Sequence, residues 1–476
     1  MLLVTIGAWF ALAGIVVALL GSKRIPAVVV PTRRMTRADV LPILVLALMT
    51  AACYGWLARS YFLADDFILL RQAHGPLNWR AVFTTPGGDG FFRPLGYISY
   101  LVSAKWAGSD PGAWHSIGFV LHAANACLLY LVAAALGYSR FLAWVAAALF
   151  VVHGSHPEAA LWVAGRFDLL STFFVLFALL ALLRSRAPGL TGRIWLAVAL
   201  AAMIAGLLTK ESAYSFVLVA ALLLVCIGEH RNGKAAWSII WFGAVTAALF
   251  GYRWYLLAGI GGYGPISVIS SLKALFFRMW GVLFFPINWT LPSSFWLLAL
   301  AIVYCAALAR LFRARPVLGA LAFALGFVIL TAAPAVSQLL IGADLEKSRV
   351  LYLPSAGFCL LIAAQAAPLA TRSQILIAAG LLAFHATALV HNLRGWEKAS
   401  ATVQATCAVA SKCATAGGAF PQVSGLPRTL NGVYTFANGF PQCVAMQTPS
   451  ISLTTTGTHV CRFVWDPSTA SLRSVQ

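Results

Sequence analysis

Long apolar stretches recur along almost the whole chain, and they constrain its fold more than any other feature. A helix needs about 20 mostly apolar residues to cross a bilayer. Twelve stretches meet this condition: 2–20, 40–58, 115–137, 141–157, 160–183, 194–209, 213–228, 236–257, 295–310, 317–339, 351–370 and 374–391. Of the 476 residues, 61% are hydrophobic and only 10% are charged. Backbone groups inside a bilayer must be satisfied within the chain, and these runs lack the alternation of barrel strands, so we predict an all-α polytopic membrane protein.

Positive charge is concentrated in short loops at one end of the spans. The formal net charge is +20, and simple alternation of the helices puts every basic loop on the same side. The basic residues of these loops are Lys23, Arg24, Arg33, Arg34, Arg37, Arg140, Arg184, Arg186, Arg193, Arg231, Lys234, Arg310, Arg313, Arg315 and Arg372. The positive-inside rule makes that side cytoplasmic, so the charge reflects orientation in a lipid bilayer and not binding of nucleic acid. We expect a multi-pass protein of a bacterial inner membrane, with both termini and the acidic loops in the periplasm.

Two outward loops and a C-terminal tail are longer than turns. Residues 59–114 form the first large outward loop, whose mixture of aromatic and charged residues predicts helices lying on the membrane surface. The run KALFFRMWGVLFFP, within 259–292, is apolar enough to span, but one crossing there would put the next basic loop outside. We therefore predict an interfacial or re-entrant segment there. The domains we expect are a transmembrane catalytic domain at 1–391 and an outward tail at 392–476.

The tail carries four cysteines and strand-like segments. The cysteines, an even number in an outward segment, predict two disulfides without fixing their pairing. They are Cys407, Cys413, Cys443 and Cys461. Aromatic segments separated by Gly, Pro and Asn predict a small β-rich module. This module is either a cap or acceptor-binding piece, or an appendage that only adds solubility.

Two adjacent acids follow the second span, in the segment YFLADDFILLRQ. A carboxylate at the membrane surface can accept the proton of an acceptor hydroxyl, while its neighbour hydrogen-bonds the acceptor or holds a cation. We therefore predict Asp65 and Asp66 as catalytic residues. The alternative is a solvated helix N-terminus, where the helix dipole favours aspartate. Paired carboxylates also permit a divalent cation, although the chain has no HExxH motif and no CxxC pair typical of a metal site.

Other charged residues collect at outward helix ends. The planar guanidinium of arginine can bind a phosphate through two parallel hydrogen bonds, so we assign a set of cations to binding of a lipid phosphate. These cations are Arg349, Lys347, Lys210 and Arg93. Further candidate residues at these helix ends are Glu158, Arg166, Asp168, Glu211 and His156. Glu158 and Arg166 are eight residues apart, which puts them roughly on one face of a helix.

Structural roles are the alternatives for each of these residues. Buried ion pairs that orient helices would explain the acids and their partners, and side chains that snorkel to the interface would explain single cations. For His122, His153 and His156, ordinary interfacial histidines are favoured over a metal site. Only the convergence of all the charged sets on one membrane face favours a catalytic site.

Five motifs together resemble a known family. They are LADDF, FRPLGYISY, HPEAALWVAGRFDLL, TKESAY and SRVLYLPSAGFC, in this order between about Leu63 and Phe358. They resemble the membrane region of the transmembrane-and-tetratricopeptide O-mannosyltransferases and their bacterial relatives, within the GT-C superfamily of glycosyltransferases. The last motif is the most specific. The following segment HNLRGWEKASATVQ is similar to the start of the family's repeat region, but no tetratricopeptide array follows it.

The resemblance implies a GT-C-like bundle of about 12 transmembrane helices. Its outward face would take a sugar from a polyprenyl-phosphate-linked donor and transfer it to a hydroxyl acceptor on a protein, glycan or lipid, typically with inversion. It assigns Asp65 as the catalytic base and Asp66 as its close competitor. It also implies that the sugar or the acceptor is bound by Glu158, Arg166, Asp168, Glu211 and His156. The alternative is a lipid or solute transporter or flippase, but transporters place ionisable groups near the midplane of the membrane.

Overall fold

The computed structural model of the protein describes residues 35–76, 78–87, 90–229, 233–262, 267–292, 295–417, 420–447 and 461–475. The predicted span at 2–20 lies outside these residues. So do the predicted loop residues Lys23, Arg24, Arg33, Arg34 and Arg231.

Helices make up most of the described chain. Numbered along the sequence, they are α1 (Val40–Tyr54), α2 (Asp65–Ala73), α3 (Trp79–Thr84), α4 (Pro94–Ala107), α5 (Pro111–Ala135), α6 (Arg140–Val151), α7 (Pro157–Ala160), α8 (Arg166–Arg184), α9 (Gly189–Leu207), α10 (Phe216–Cys226), α11 (Gly233–Leu257), α12 (Val268–Lys273), α13 (Met279–Phe284), α14 (Phe295–Leu311), α15 (Leu318–Ala332), α16 (Tyr352–Ala366), α17 (Thr371–Gly417) and α18 (Phe440–Gln447).

Eleven of these helices coincide with the predicted spans from 40–58 onward. With their adjoining turns, eight are long and apolar enough to cross a membrane, and α6, α10 and α14 are shorter apolar helices. The prediction of an all-α polytopic membrane protein is confirmed.

The bundle is packed around α16. Every residue of α16 is buried, and the helix lies against α6 and α15. Gly357 permits the close approach, because a Cβ there would lie 2.9 Å from the backbone nitrogen of Val328. Elsewhere α5 packs on α6 and α8, α8 on α9, and α14 on α17. Small residues at helix contacts let backbones approach closely, which is how helices gain van der Waals contact inside a bilayer.

The two long loops that we expect to face outward are largely helical. The first contains α2, α3 and α4, and the second contains a helical stretch formed by α12, a π-helical turn at Ala274–Arg278, and α13. The stretch ends before Pro286, which lies in a segment without helix or strand. That these helices lie along the membrane surface stays a prediction.

The C-terminal tail combines short strands with one helix. The strands are β1 (Gln422–Ser424), β2 (Thr429–Leu430), β3 (Val433–Tyr434), β4 (Arg462–Asp466) and β5 (Ser471–Val475). β4 pairs in parallel with β1 and antiparallel with β5, with Trp465 opposite Leu472, and β2 pairs antiparallel with β3. The small strands were therefore predicted correctly, whereas α18 was not foreseen.

Two disulfides fasten the tail, as predicted. They join Cys407 to Cys443 and Cys413 to Cys461. The first cysteine of each pair lies on α17, a single helix of 47 residues. This helix runs without a break through the expected domain boundary between residues 391 and 392. The tail is thus a continuation of the last membrane helix that folds back onto the bundle.

Candidate active site

The acid pair begins α2, directly after Ala64, whose φ of 42° is rare for a residue other than glycine. Asp66 is fully buried, and its carboxylate accepts hydrogen bonds from the backbone nitrogens of Leu63 (3.1 Å) and Ala164 (2.8 Å). Burial raises the pKa of Asp66 to about 8, although the backbone N–H groups act in the opposite direction. Both of its oxygens are engaged in holding the loop against the start of α8.

Asp65 has a more open environment than its neighbour. Its side chain is half-buried, and its Oδ1 accepts a hydrogen bond of 2.7 Å from Nδ2 of Asn438 in the tail. Of the two acids, Asp65 is therefore the one that an acceptor hydroxyl can approach.

Glu158 and Arg349 form a buried ion pair next to this loop. Glu158 also accepts hydrogen bonds of 3.3 Å from Oγ of Ser348 and from the backbone nitrogen of Arg349. Burial raises the pKa of Glu158, and the guanidinium of Arg349 opposes that rise. The Arg349 side chain keeps 17% of its surface exposed, so it can meet a ligand while it remains paired.

Trp162 connects the acid pair to this arginine. Its Nε1 donates a hydrogen bond of 3.1 Å to the carbonyl oxygen of Leu63, two residues before Asp65. The guanidinium of Arg349 lies 4.7 Å from the centre of the Trp162 ring. Tyr434 of the tail stacks on the Trp162 ring, at 5.0 Å between ring centres. One tryptophan thus brings the two predicted halves of the site together.

Two of the other three predicted cations are paired with carboxylates. Nζ of Lys210 lies 2.5 Å from Oδ1 of Asp168, and both side chains are at most 7% exposed. Glu211 receives Arg93 at 2.6 Å and Arg253 at 3.3 Å. These contacts match the alternative of buried ion pairs that orient helices. Lys347 is half-buried with a φ of 74° and joins none of the ion pairs in the described part of the chain.

The expected common face of Glu158 and Arg166 is wrong. α7 ends at Ala160, and a 3₁₀ turn at Val163–Gly165 separates it from α8, so the helical spacing does not apply. Arg166 turns away toward α4 and α5. It donates to Oγ of Ser103 at 2.9 Å and lies against the rings of Tyr100 and Trp114 at 4.7 and 4.8 Å.

His156 belongs to a buried cluster of imidazoles and not to an interfacial set. His122, His153 and His156 are fully buried, together with His385 of α17. The ring centres of His153 lie 5.0 Å from His156 and 4.8 Å from His385. His156 contacts Ser355 through Nε2 at 2.8 Å. The expectation of interfacial histidines is thus wrong, and the described residues include no group of three His, Cys, Asp or Glu placed to hold a metal ion.

A small cleft opens beside Glu158 and Ser348. Its empty space is about 260 Å³, part of it open to solvent. The bundle contributes most of the wall, and the tail closes one side with Asn431, Gly432 and Val433. The cleft is therefore built jointly by the bundle and the tail.

Several residues of this site were missed by the sequence reasoning. Trp162 lies inside a quoted motif, but its indole was not distinguished from an ordinary apolar residue. Arg253 had a usable indication, because a charged residue within an apolar span usually has a functional or pairing role. The sequence gave no indication of Tyr434 or Asn438, because nothing local in the tail marks the residues that contact the bundle. Asn438, for example, lies 373 positions after Asp65.

Part of the chain is similar in sequence to known O-mannosyltransferases. It is 33% identical over 158 residues to the protein O-mannosyl-transferase Tmtc1 of Drosophila melanogaster, which is 33% of this chain and 18% of the relative. It is 30% identical over 180 residues to TMTC1 of Mus musculus, which is 34% and 19% of the two chains. The match to Drosophila Tmtc2 is 35% identical over 158 residues, 32% and 16% of the two chains. The chain thus spans less than a fifth of the length of these relatives.

The resemblance predicted from the motifs is confirmed by these matches. No protein-family model matches the chain. Among solved structures, ArnT from Cupriavidus metallidurans bound to undecaprenyl phosphate aligns with a TM-score of 0.46 and 13% identity, over 91% of this chain and 94% of that chain. The S. cerevisiae Pmt1–Pmt2 protein O-mannosyltransferase complex bound to the sugar donor aligns with a TM-score of 0.36 and 17% identity, over 48% and 33% of the chains.

Proposed function

We propose that the protein is a membrane glycosyltransferase that moves a sugar from a polyprenyl-phosphate-linked donor to a hydroxyl acceptor. The observation that carries the proposal is the junction at Trp162, whose indole bonds the loop two residues before the half-buried Asp65 and lies against the partly exposed Arg349. The sequence similarity to O-mannosyltransferases supports the same reaction class. The chain organisation we propose is a catalytic bundle that ends in the first part of α17, followed by the tail.

In the proposed reaction, Asp65 accepts the proton of the acceptor hydroxyl. The acceptor oxygen forms a bond to the anomeric carbon of the sugar as the bond from that carbon to the phosphate oxygen breaks. The bonding electrons leave with the polyprenyl phosphate, whose negative charge is stabilised by Arg349 with Lys347 next to it. Fixed charges aimed at the position where charge develops are often the largest contribution to catalysis.

The remaining charged residues have supporting roles in this scheme. Asp66 holds the loop that carries Asp65, and Glu158 orients Arg349. The pair of Lys210 with Asp168, and the group of Glu211 with Arg93, fix the ends of α4, α8, α9 and α10 relative to one another. This assignment narrows the set of phosphate-binding cations to the two that keep exposed surface.

We propose that the site faces the periplasm of a bacterial inner membrane. Two membrane helices support this orientation, because basic residues lie at the ends opposite to the site. α6 begins at Arg140 and leads toward Glu158, while α8 begins next to the site and ends at Arg184. Under the positive-inside rule, the basic ends are cytoplasmic.

The test is transfer of radiolabelled mannose from undecaprenyl phosphomannose in membranes that contain the protein, with a panel of other polyprenyl-phosphate sugars in parallel. Asp65→Asn should abolish transfer, because an amide cannot take the acceptor proton, while the quantity of folded protein stays unchanged. Asp110→Asn is the matched control, since Asp110 caps α5 in the same loop and asparagine caps a helix equally well. Full transfer by the Asp65 variant would remove the assignment of the base.

A further inference from the structure

One short segment of the tail contacts both Arg349 and Asp65. Tyr434 lies 5.6 Å from the Arg349 guanidinium, measured to the ring centre, and Asn438 hydrogen-bonds Asp65. Four residues of extended chain span at most about 14 Å. The segment Tyr434–Asn438 therefore runs across the site from the arginine to the carboxylate.

The contact with the catalytic loop is specific. The backbone nitrogen of Ala64 donates to the carbonyl oxygen of Thr435 at 3.2 Å, so the residue in the strained conformation is held by the tail. On the next residue, Asp65, Asn438 holds one carboxylate oxygen. Gly439 has a φ of 80°, and a Cβ there would lie 2.3 Å from the carbonyl oxygen of Ala64. The backbone at Gly439 and the backbone at Ala64 are therefore packed too closely for a side chain to lie between them.

The segment is anchored from behind. Thr435 is fully buried, and its hydroxyl donates to the carbonyl oxygen of Pro427 at 3.0 Å. The Cys407–Cys443 disulfide fixes α18 to α17. Gln447 at the end of α18 donates to the Tyr61 hydroxyl at 3.0 Å, on the same loop as Asp65. A mobile lid would not bury its own backbone anchors in this way, so the segment is part of the site.

We propose that Asn438 is a positioning residue that holds the Asp65 carboxylate in its catalytic orientation, and that the tail thereby completes the active site. The amide donates through Nδ2, which leaves the second carboxylate oxygen to take the acceptor proton. The same segment holds Ala64 through the Thr435 carbonyl, and a residue in such a conformation persists only when its surroundings hold it. The inference rests on the proposed function.

The test compares Asn438→Ala with Asn438→Gln, which keeps an amide donor, and with Ser468→Ala in the β4–β5 turn as the control. In the mannose-transfer assay we expect Asn438→Ala to lower kcat at least about tenfold with the KM for the donor unchanged, since small displacements of a reacting group are costly. Asn438→Gln should recover part of the loss. A kcat equal to that of the control would overturn the inference.

A second measurement separates this inference from the proposed function. Hydrogen–deuterium exchange of residues 60–68 should accelerate in Asn438→Ala and stay unchanged in Ser468→Ala, whether or not the protein transfers sugar. If exchange is faster in Asn438→Ala but the native protein transfers no sugar, the proposed function is contradicted, whereas the contact between Asn438 and Asp65 is supported. If the native protein transfers sugar but exchange is unaltered in Asn438→Ala, only the positioning role of Asn438 is refuted.

Discussion

Removal of Lys210 tests whether the Asp168 pair is structural. In Lys210→Met the carboxylate stays buried without its cation. The two side chains are 5% and 7% exposed and 2.5 Å apart, so water cannot replace the lost partner. Breaking a buried pair by removing one member costs about 3–5 kcal/mol. Oδ2 of Asp168 has no hydrogen-bond partner among the described residues, so the native pair is incompletely satisfied and we expect the lower end, about 3 kcal/mol.

The double variant Lys210→Met with Asp168→Leu completes the experiment. Replacing a buried pair by apolar residues is often neutral or stabilising, so the second substitution should restore most of the stability. The assay is reversible unfolding in mixed detergent micelles as the fraction of SDS rises. Lys105→Met, at an exposed lysine of α4, is the control and should change the unfolding free energy by less than about 0.5 kcal/mol. If Lys210→Met is as stable as the control, the pair is not structural and Lys210 returns to the list of phosphate ligands.

Two further predictions follow from other contacts. Gly439→Ala should displace the segment Tyr434–Asn438 from the loop of Asp65, because the new Cβ would meet the Ala64 carbonyl; faster limited proteolysis of the tail is the measurement. Trp162→Leu should lower sugar transfer at least about tenfold through loss of the bond to Leu63, and unchanged kinetics would speak against the junction.

The helical bundle was predictable because each span carries its own indication. A run of about 20 apolar residues is a local property, and a membrane interior leaves helices as the main solution. The acid pair was equally visible, since two adjacent aspartates beside a span are chemically costly. The shorter helices α6 and α10 were predicted with soft limits, because the turns before α7 and α10 interrupt the hydropathy only weakly.

Pairing between distant residues was not predictable. Lys210 pairs with Asp168 across 42 positions, and Glu158 pairs with Arg349 across 191. Over such separations, a single sequence does not indicate which residues contact each other. The error for Arg166 has a local origin: the spacing was read as one helix, whereas the 3₁₀ turn at Val163–Gly165 redirects the chain. The imidazole cluster needed His385, which arrives from α17 long after the other three.

The uninterrupted course of α17 restricts how the length of this protein can vary. At about 1.5 Å and 100° per residue, one inserted residue between His391 and Ser400 would rotate everything beyond it by more than a quarter turn. Cys407 and Cys413 would then point away from Cys443 and Cys461, and the disulfide-linked tail would lose its contacts with the bundle. Insertions and deletions should therefore be absent from this stretch in working homologues and accumulate only past Gly417, where helical phase no longer matters.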